Sequence, residues 1–134
     1  PFTGIAIKVA AASTTTAIEI ALYDCDTDTM LPSNRILLAG TIDTSSLGLK
    51  EIIVNFELDA GYYFIATKSV GKPVIKGAVF SGSGSIPVTS IVDLVPATVS
   101  GSACYVTSGT LAEIAPVPTG IFSKSSAPLI CFKY

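Results

Sequence analysis

Apolar and polar positions alternate along this chain with a period of two. In "GIAIKVA" Ile5, Ile7 and Val9 share one face, with Lys8 and small alanines on the other. In "TAIEIALY" Ile18, Ile20 and Leu22 face one way and Glu19, Ala21 and Tyr23 the other. "KEIIVNFEL" sets Ile52, Val54, Phe56 and Leu58 against Glu51, Ile53, Asn55 and Glu57. Successive strand side chains point to opposite faces, so each stretch predicts a strand with one face in a core and one face wet. "YYFIATK" follows directly after "DAG". That spacing predicts a tight hairpin turn at Asp59-Ala60-Gly61, with Gly61 free to take positive φ.

Further strands are expected at 36–42, 74–80, 88–95, 103–106 and 129–134. In the last, Ile130, Phe132 and Tyr134 share a face, and Pro128 sits before it, where a missing N–H does least harm. "SGSGS", "VSGS" and "SSAP" read as turns. No window of ten or more residues has a helical period with caps. "SGTLAEIAP" has room for one short helical turn before Pro116 and Pro118 stop it. Eight or nine short strands at hairpin spacing predict an all-β antiparallel sandwich of jelly-roll type, a single domain over residues 1–134.

Composition narrows the function classes. The 134 residues suffice for a core without disulfides or metal. Hydrophobic residues make up 49% and charged residues 13%, which excludes disorder. The longest uncharged run, 94–112, is broken by Pro96, Gly101 and Gly109 and studded with Ser and Thr, so it fails as a membrane span. No secretory signal is visible, and a start at Pro1 fits a processed N-terminus or a fragment of something longer. Residues 1–67 carry eight acids and three bases, and 68–134 carry two acids and five bases. No Lys/Arg cluster exists, so nucleic acid is not an expected partner. From 77 to 123 only Asp93 and Glu113 are charged. A surface so poor in charge is either a Ser/Thr-rich loop region or one covered by the rest of the fold or by another subunit.

Candidate chemistry is sparse. The chain has no histidine, which removes the commonest general base, the Ser-His and Cys-His arrangements and most catalytic zinc sites. "SGSGS" has the wrong order for a nucleophile elbow. "VGKPV" lacks the upstream glycine of a phosphate loop and has Pro73 in the Ser/Thr position. No serine stands out as half of a Ser–Lys dyad, and most acids fall on wet strand faces or in loops, their ordinary place. No catalytic residue and no cofactor are therefore expected, and the chain reads as a non-enzyme. Three widely spaced cysteines lack a C-x-x-C motif and the even count of a disulfide framework. Cys131, alternating within a strand, is expected as a small buried hydrophobe. Cys25 and Cys104 can pair only if their strands are neighbours.

The densest carboxylate cluster is "YDCDTDTMLPSN", with Asp24, Asp26 and Asp28 alternating. Alternating oxygens suit a calcium loop, but the EF-hand type needs Gly at its sixth position and Glu at its twelfth. Counting from Asp24 those positions hold Thr29 and Arg35. A looser calcium cage of Asp26, Asp28 and backbone carbonyls is the alternative. The favoured reading is a solvated hairpin connection whose Asp and Thr side chains bond their own backbone. Its charge would favour a basic partner. Among the aromatics, Tyr62 and Phe64 share one face and Tyr63 takes the other. An exposed Tyr63 beside Tyr23 would make a stacking platform for sugars; packing in the sandwich or at a subunit contact is the commoner use. Tyr23, Tyr63 and Tyr105 are the candidate ligand or interface contacts.

Residues 17–70 resemble a pattern found in structural proteins of tailed bacteriophages. The pieces are "ALYD", "LPS", "GTIDTSSLGLK" and "LDAGYYFIATKS", with "SSAPLICFKY" similar to a last core strand and 81–123 hardly similar at all. The resemblance implies a jelly-roll module of a tail fibre, receptor-binding protein or capsid decoration. Such a module would be homotrimeric, attached to other virion proteins or to a host surface glycan, and part of a virion assembled in the bacterial cytoplasm, where reduced thiols are the simpler state. The chain also looks like β-sandwich accessory domains of secreted bacterial enzymes, which implies a monomeric carbohydrate-binding module with calcium in the Asp24–Asp28 loop.

Overall fold

The computed structural model describes residues 1–29, 31–79, 102–106, 110–114, 120–124, 126–128 and 130–134. The described strands are β1 (Phe2–Ala11), β2 (Ala17–Asp26), β3 (Leu31–Asp43), β4 (Gly48–Phe56), β5 (Tyr63–Val70), β6 (Val74–Ile75), β7 (Gly77–Val79), β8 (Ser102–Val106), β9 (Gly120–Lys124), β10 (Ser126–Pro128) and β11 (Cys131–Lys133). The chain is all-β, and no helix among the described residues is long and apolar enough to cross a membrane.

The chain divides into two compact units. The first contains β1–β6, residues 110–114 and β11. Its β1 is flanked by β4 on one edge; on the other, β11 pairs with Gly4–Ala6 and β6 with Val9 and Ala11. A second sheet runs β3–β2–β5. Every pairing is antiparallel. The β2–β3 hairpin is the only connection between successive strands β1 to β6 that stays within one sheet. This hairpin nested inside the β1–β4 pair, with β5 and β6 returning beside β2 and β1, gives a jelly-roll-like sandwich. In the second unit β7 pairs with β10 and β8 with β9, both antiparallel.

The core lies between the two sheets of the first unit. Ile5 and Ile7 of β1 and Val54 of β4 meet Ile18 and Ile20 of β2 and Ile42 of β3, with Leu37, Ile52, Phe56, Ile75, Ile130 and Phe132 packed around them. These β-branched residues form strands because their stiff side chains fit a pleated, half-buried surface. Burying each whole side chain stabilises the fold by about 1.5–3 kcal/mol before chain entropy is counted. At one end Phe2 stacks on Phe56 with centroids 5.2 Å apart and also packs against Phe132 and Tyr134.

At the opposite end three crossovers are tied by polar groups. Thr44 donates its hydroxyl to Thr16 Oγ1 at 2.8 Å and its N–H to the Thr16 carbonyl at 3.0 Å, while the Thr16 hydroxyl donates to the Ser13 carbonyl at 2.9 Å. Gly71, at φ 71°, packs against Thr16 so closely that a Cβ would sit 2.8 Å from its Cγ2.

Some expectations are corrected. β4 pairs with β1 whereas β5 pairs with β2, so residues 57–62 cross between sheets and Asp59-Ala60-Gly61 is not a hairpin turn. Positive φ is found at Gly40, Gly48 and Gly71 but not at Gly61. Tyr62 precedes β5 and is 65% exposed. Cys131 is exposed, because its neighbour Phe132 takes the inward position of β11. The 110–114 part of the expected helical turn is not helical: the Ala112 N–H donates to the Thr110 carbonyl at 2.9 Å, the chain bends at Glu113, and Ile114 is bridged to Asn34. The strand expected at 88–95 lies outside the described residues, as does most of the charge-poor stretch 77–123.

Candidate functional site

The candidate residues gather at the end of the second sheet where β2 passes into β3. β2 opens the site because it is buried on both faces. Ile18, Ile20 and Leu22 face the core, yet Ala21 and Tyr23 on the other face are buried too, Tyr23 to 2% exposure. Register explains part of this. β3 bulges three times against β2, and one bulge sets Arg35, rather than Ile36, opposite Tyr23. A bulge adds one residue and re-aims every side chain beyond it. On the other side Tyr23 pairs with Phe64 of β5.

Residues 110–114 lie over that outer face as a strap. The Tyr23 hydroxyl donates to the Ala112 carbonyl at 2.7 Å, and the Arg35 guanidinium donates to the Leu111 carbonyl. The Arg35 N–H donates to the Glu113 carbonyl at 2.7 Å, and the Glu113 carboxylate lies 3.9 Å from the guanidinium. Glu113 is largely exposed, so the ion pair adds little and the main-chain bonds hold the strap. Burial raises the Tyr23 phenol above its ordinary value; Arg35 opposes this and Glu19 adds to it. The phenol therefore stays a neutral donor, as its bond to a carbonyl requires.

The aspartates of the hairpin hold main chain. Asp26 Oδ1 accepts the N–H groups of Asp28 at 2.9 Å and Thr29 at 3.0 Å, and these donors, Thr29 first, keep its carboxyl below the ordinary value. This is the Asx turn that the composition of the loop favours. Asp24 Oδ1 accepts the Asn34 N–H across the hairpin. Two of the three carboxylates thus face backbone donors instead of a shared centre. The described residues contain no group of three or more His, Cys, Asp or Glu placed to hold a metal.

Tyr23 and Tyr63 do not come together as a platform. Tyr23 is under the strap, and Tyr63 donates its hydroxyl to the Asp59 carbonyl at 2.9 Å, bracing the crossover. Tyr105 lies on β8 opposite Ile121, in the second unit. Cys25 is a free thiol whose pKa is raised by burial, then by Asp26 and Asp24. Among the described residues every buried side-chain nitrogen or oxygen has a partner.

Sequence reasoning missed Arg35 and Asn34. A lone arginine at the entry to a strand was the available signal, but its role depends on the bulge and on a segment about 76 residues further along the chain.

Large apolar side chains stand on the opposite, outer face of the first sheet. On β4, Leu49 is 71% and Ile53 87% exposed, opposite Lys8 and Gly4 of β1 respectively. An ion pair between Lys133 Nζ and Glu51 Oε1, 3.0 Å long, crosses this face above Gly4.

No family model matches the chain, and neither the curated proteins nor the solved structures compared with it contain a match.

Proposed function

We propose that this protein is a non-enzymatic structural module of a tailed-bacteriophage virion, of the tail-fibre, receptor-binding or capsid-decoration type. It works by assembling with its own copies, as a trimer, and by attaching to other virion proteins or to the host surface. The virion reading rests on the resemblance of residues 17–70 to structural proteins of tailed bacteriophages, and the observation that supports association is the exposure of Leu49 and Ile53 on the outer face of β4, either side of Glu51, on a chain with half the usual share of charge. Exposed apolar surface of this kind favours association. The use of Asp24, Asp26, Tyr23 and Tyr63 as backbone braces supports it further, since these side chains shape the scaffold. Particle assembly in a bacterial cytoplasm fits the free thiols of Cys25 and Cys131.

The test is mass in solution, by light scattering or sedimentation at micromolar concentration. A mass of three chains is expected, and Ile53→Glu should lower it. A strict monomer at every concentration would overturn the proposal.

A further inference from the structure

The lysines of the first unit are scattered along the sequence, yet folding collects five of them towards its crossover end. Lys8 lies opposite Leu49, Lys50 opposite Ile7 and Lys68 opposite Glu19. Lys72 follows Gly71, which packs on Thr16, and the Lys76 N–H donates to the Lys8 carbonyl at 2.8 Å. Lys8, Lys72 and Lys76 are exposed. Glu19 and Asp43 are the acids of that end, and Asp43 already accepts from the N–H and the hydroxyl of Ser45. Most of the acids gather at the aromatic end. Asp24 lies opposite Tyr63, Asp26 and Asp28 follow it in the hairpin, and Glu57 and Asp59 stand in the crossover from Phe56 to Tyr63. The bases there, Arg35 and Lys133, are paired with Glu113 and Glu51. The second unit, Gly77–Gly109 and Pro116–Pro128, adds only Asp93 and Lys124 by sequence, so its charges offset neither end.

We propose that the acidic end of one copy docks on the basic end of another, so that chains associate head to tail along the strand axis. β2 runs 10 residues between the two ends, about 30 Å at ~3.3 Å per residue. That is several Debye lengths at physiological ionic strength, each about 8 Å, so the patches do not neutralise each other within one chain. A second copy is the occupant the chain itself specifies, because one rigid sandwich presents both signs in patches of similar size. A polyanion would suit the lysines but would gain nothing from the acidic end. Apolar side chains lie bare beside both patches, Tyr62 and Tyr134 at the acidic end and Leu47, Val70 and Val74 at the basic one. Contact therefore buries apolar area as well as pairing charges. The two surfaces face opposite ways along one axis, so the contact does not close and builds open stacks. It is independent of the proposed trimer, which uses the outer face of β4.

The experiment is sedimentation of the full chain over a range of concentration and salt. At about 0.05 M NaCl the mean mass should climb with concentration without a plateau, and at about 0.5 M it should fall to a fixed value, because salt screens exposed charges. Lys72→Glu/Lys76→Glu and Glu57→Lys/Asp59→Lys change exposed side chains. Each turns two attractions into two repulsions, the worth of about four exposed pairs, so each should weaken growth about tenfold. Mixed one to one at low salt, the two variants should form pairs and stop, since the first keeps an intact acidic end and the second an intact basic end. Ile53→Glu should lower only the fixed mass at high salt, so failure of the trimer and failure of the docking are told apart. A mass independent of salt overturns the docking, as does growth that survives both reversals or a mixture that forms no pairs. A chain that does not grow at low salt but retains inorganic polyphosphate through its lysines also overturns it, and assigns the basic end to an anionic partner. If a variant fails to fold, the salt response of the wild-type chain decides.

Discussion

The polar tie between the crossovers gives a sharp energetic prediction. Thr44 is fully buried, at 0% exposure, and its hydroxyl heads a relay that passes through Thr16 Oγ1 to the Ser13 carbonyl. Thr44→Val keeps the branched shape and removes one donor. Thr16 retains its own bond to Ser13, so the cost should be about 1 kcal/mol, the net worth of one hydrogen bond. Thr16→Val removes the acceptor for Thr44 and leaves a buried hydroxyl unsatisfied, which costs about 1–3 kcal/mol. In the double variant no hydroxyl is stranded, because both partners are apolar. It should be no less stable than Thr16→Val alone, and more stable when the stranding penalty is large. The coupling between the two sites should be about 0.5–3 kcal/mol. The assay is urea unfolding of all four proteins, followed by far-UV circular dichroism and fitted with a common slope. Losses that add to within about 0.3–0.5 kcal/mol would show that the relay is not an energetic unit and refute the reasoning.

Other expectations follow from the same contacts. Ile20→Ala should cost about 2–5 kcal/mol in urea unfolding, whereas Ile53→Ala, at an 87% exposed position, should stay within about 0.5 kcal/mol for the separated chain. Gly71→Ala should cost at least about 1–2 kcal/mol, since it forces a left-handed φ on alanine and drives its Cβ against Thr16, and Gly40→Ala, although it meets nothing within 4 Å, should also destabilise because φ is 118° there. Asp26 and Asp43 have folded pKa values lowered, by the Thr29 N–H and by the Ser45 hydroxyl respectively. Their stabilisation is present above the unfolded value of 3.8 and is lost as pH falls through the folded value, so thermal midpoints should drop below about pH 4. Asp26→Asn should flatten that part of the profile, because an amide oxygen still caps the turn but does not titrate there. With Cys104→Ser in place, maleimide should label exposed Cys131 before Cys25, whose raised pKa lowers its thiolate fraction; faster labelling of Cys25 would contradict the burial assigned to it.

The strands that build the core were legible in the sequence as far as alternation reached. Ile5, Ile7 and Val9, and Ile18, Ile20 and Leu22, are all buried, as a period of two requires. The turn chemistry of Asp26 was legible too, because an Asx turn needs only its own neighbours. What each strand pairs with was not. The short spacing between β4 and β5 suggested a hairpin, yet β4 lies beside β1 and β5 beside β2. Spacing limits how far a chain can travel but not which sheet it joins.

Tertiary structure alone decided the outer faces. Alternation marks Tyr23 as the wet side of β2, but the strap at 110–114 covers it. Alternation cannot see the β3 bulge that brings Arg35 opposite Tyr23, since one inserted residue shifts the register without altering the composition. Cys131 was misplaced by residue type rather than by alternation: a small apolar side chain suits an interior, but Ile130 and Phe132 occupy the inward positions. Sequence by itself therefore determined an all-β chain, its inward faces and its local turns, because those depend on residues within a few positions of each other. Sheet partners, the bulged register and the grip of Tyr23 and Arg35 on a distant segment rest on long-range contacts, which only the folded chain brings into existence.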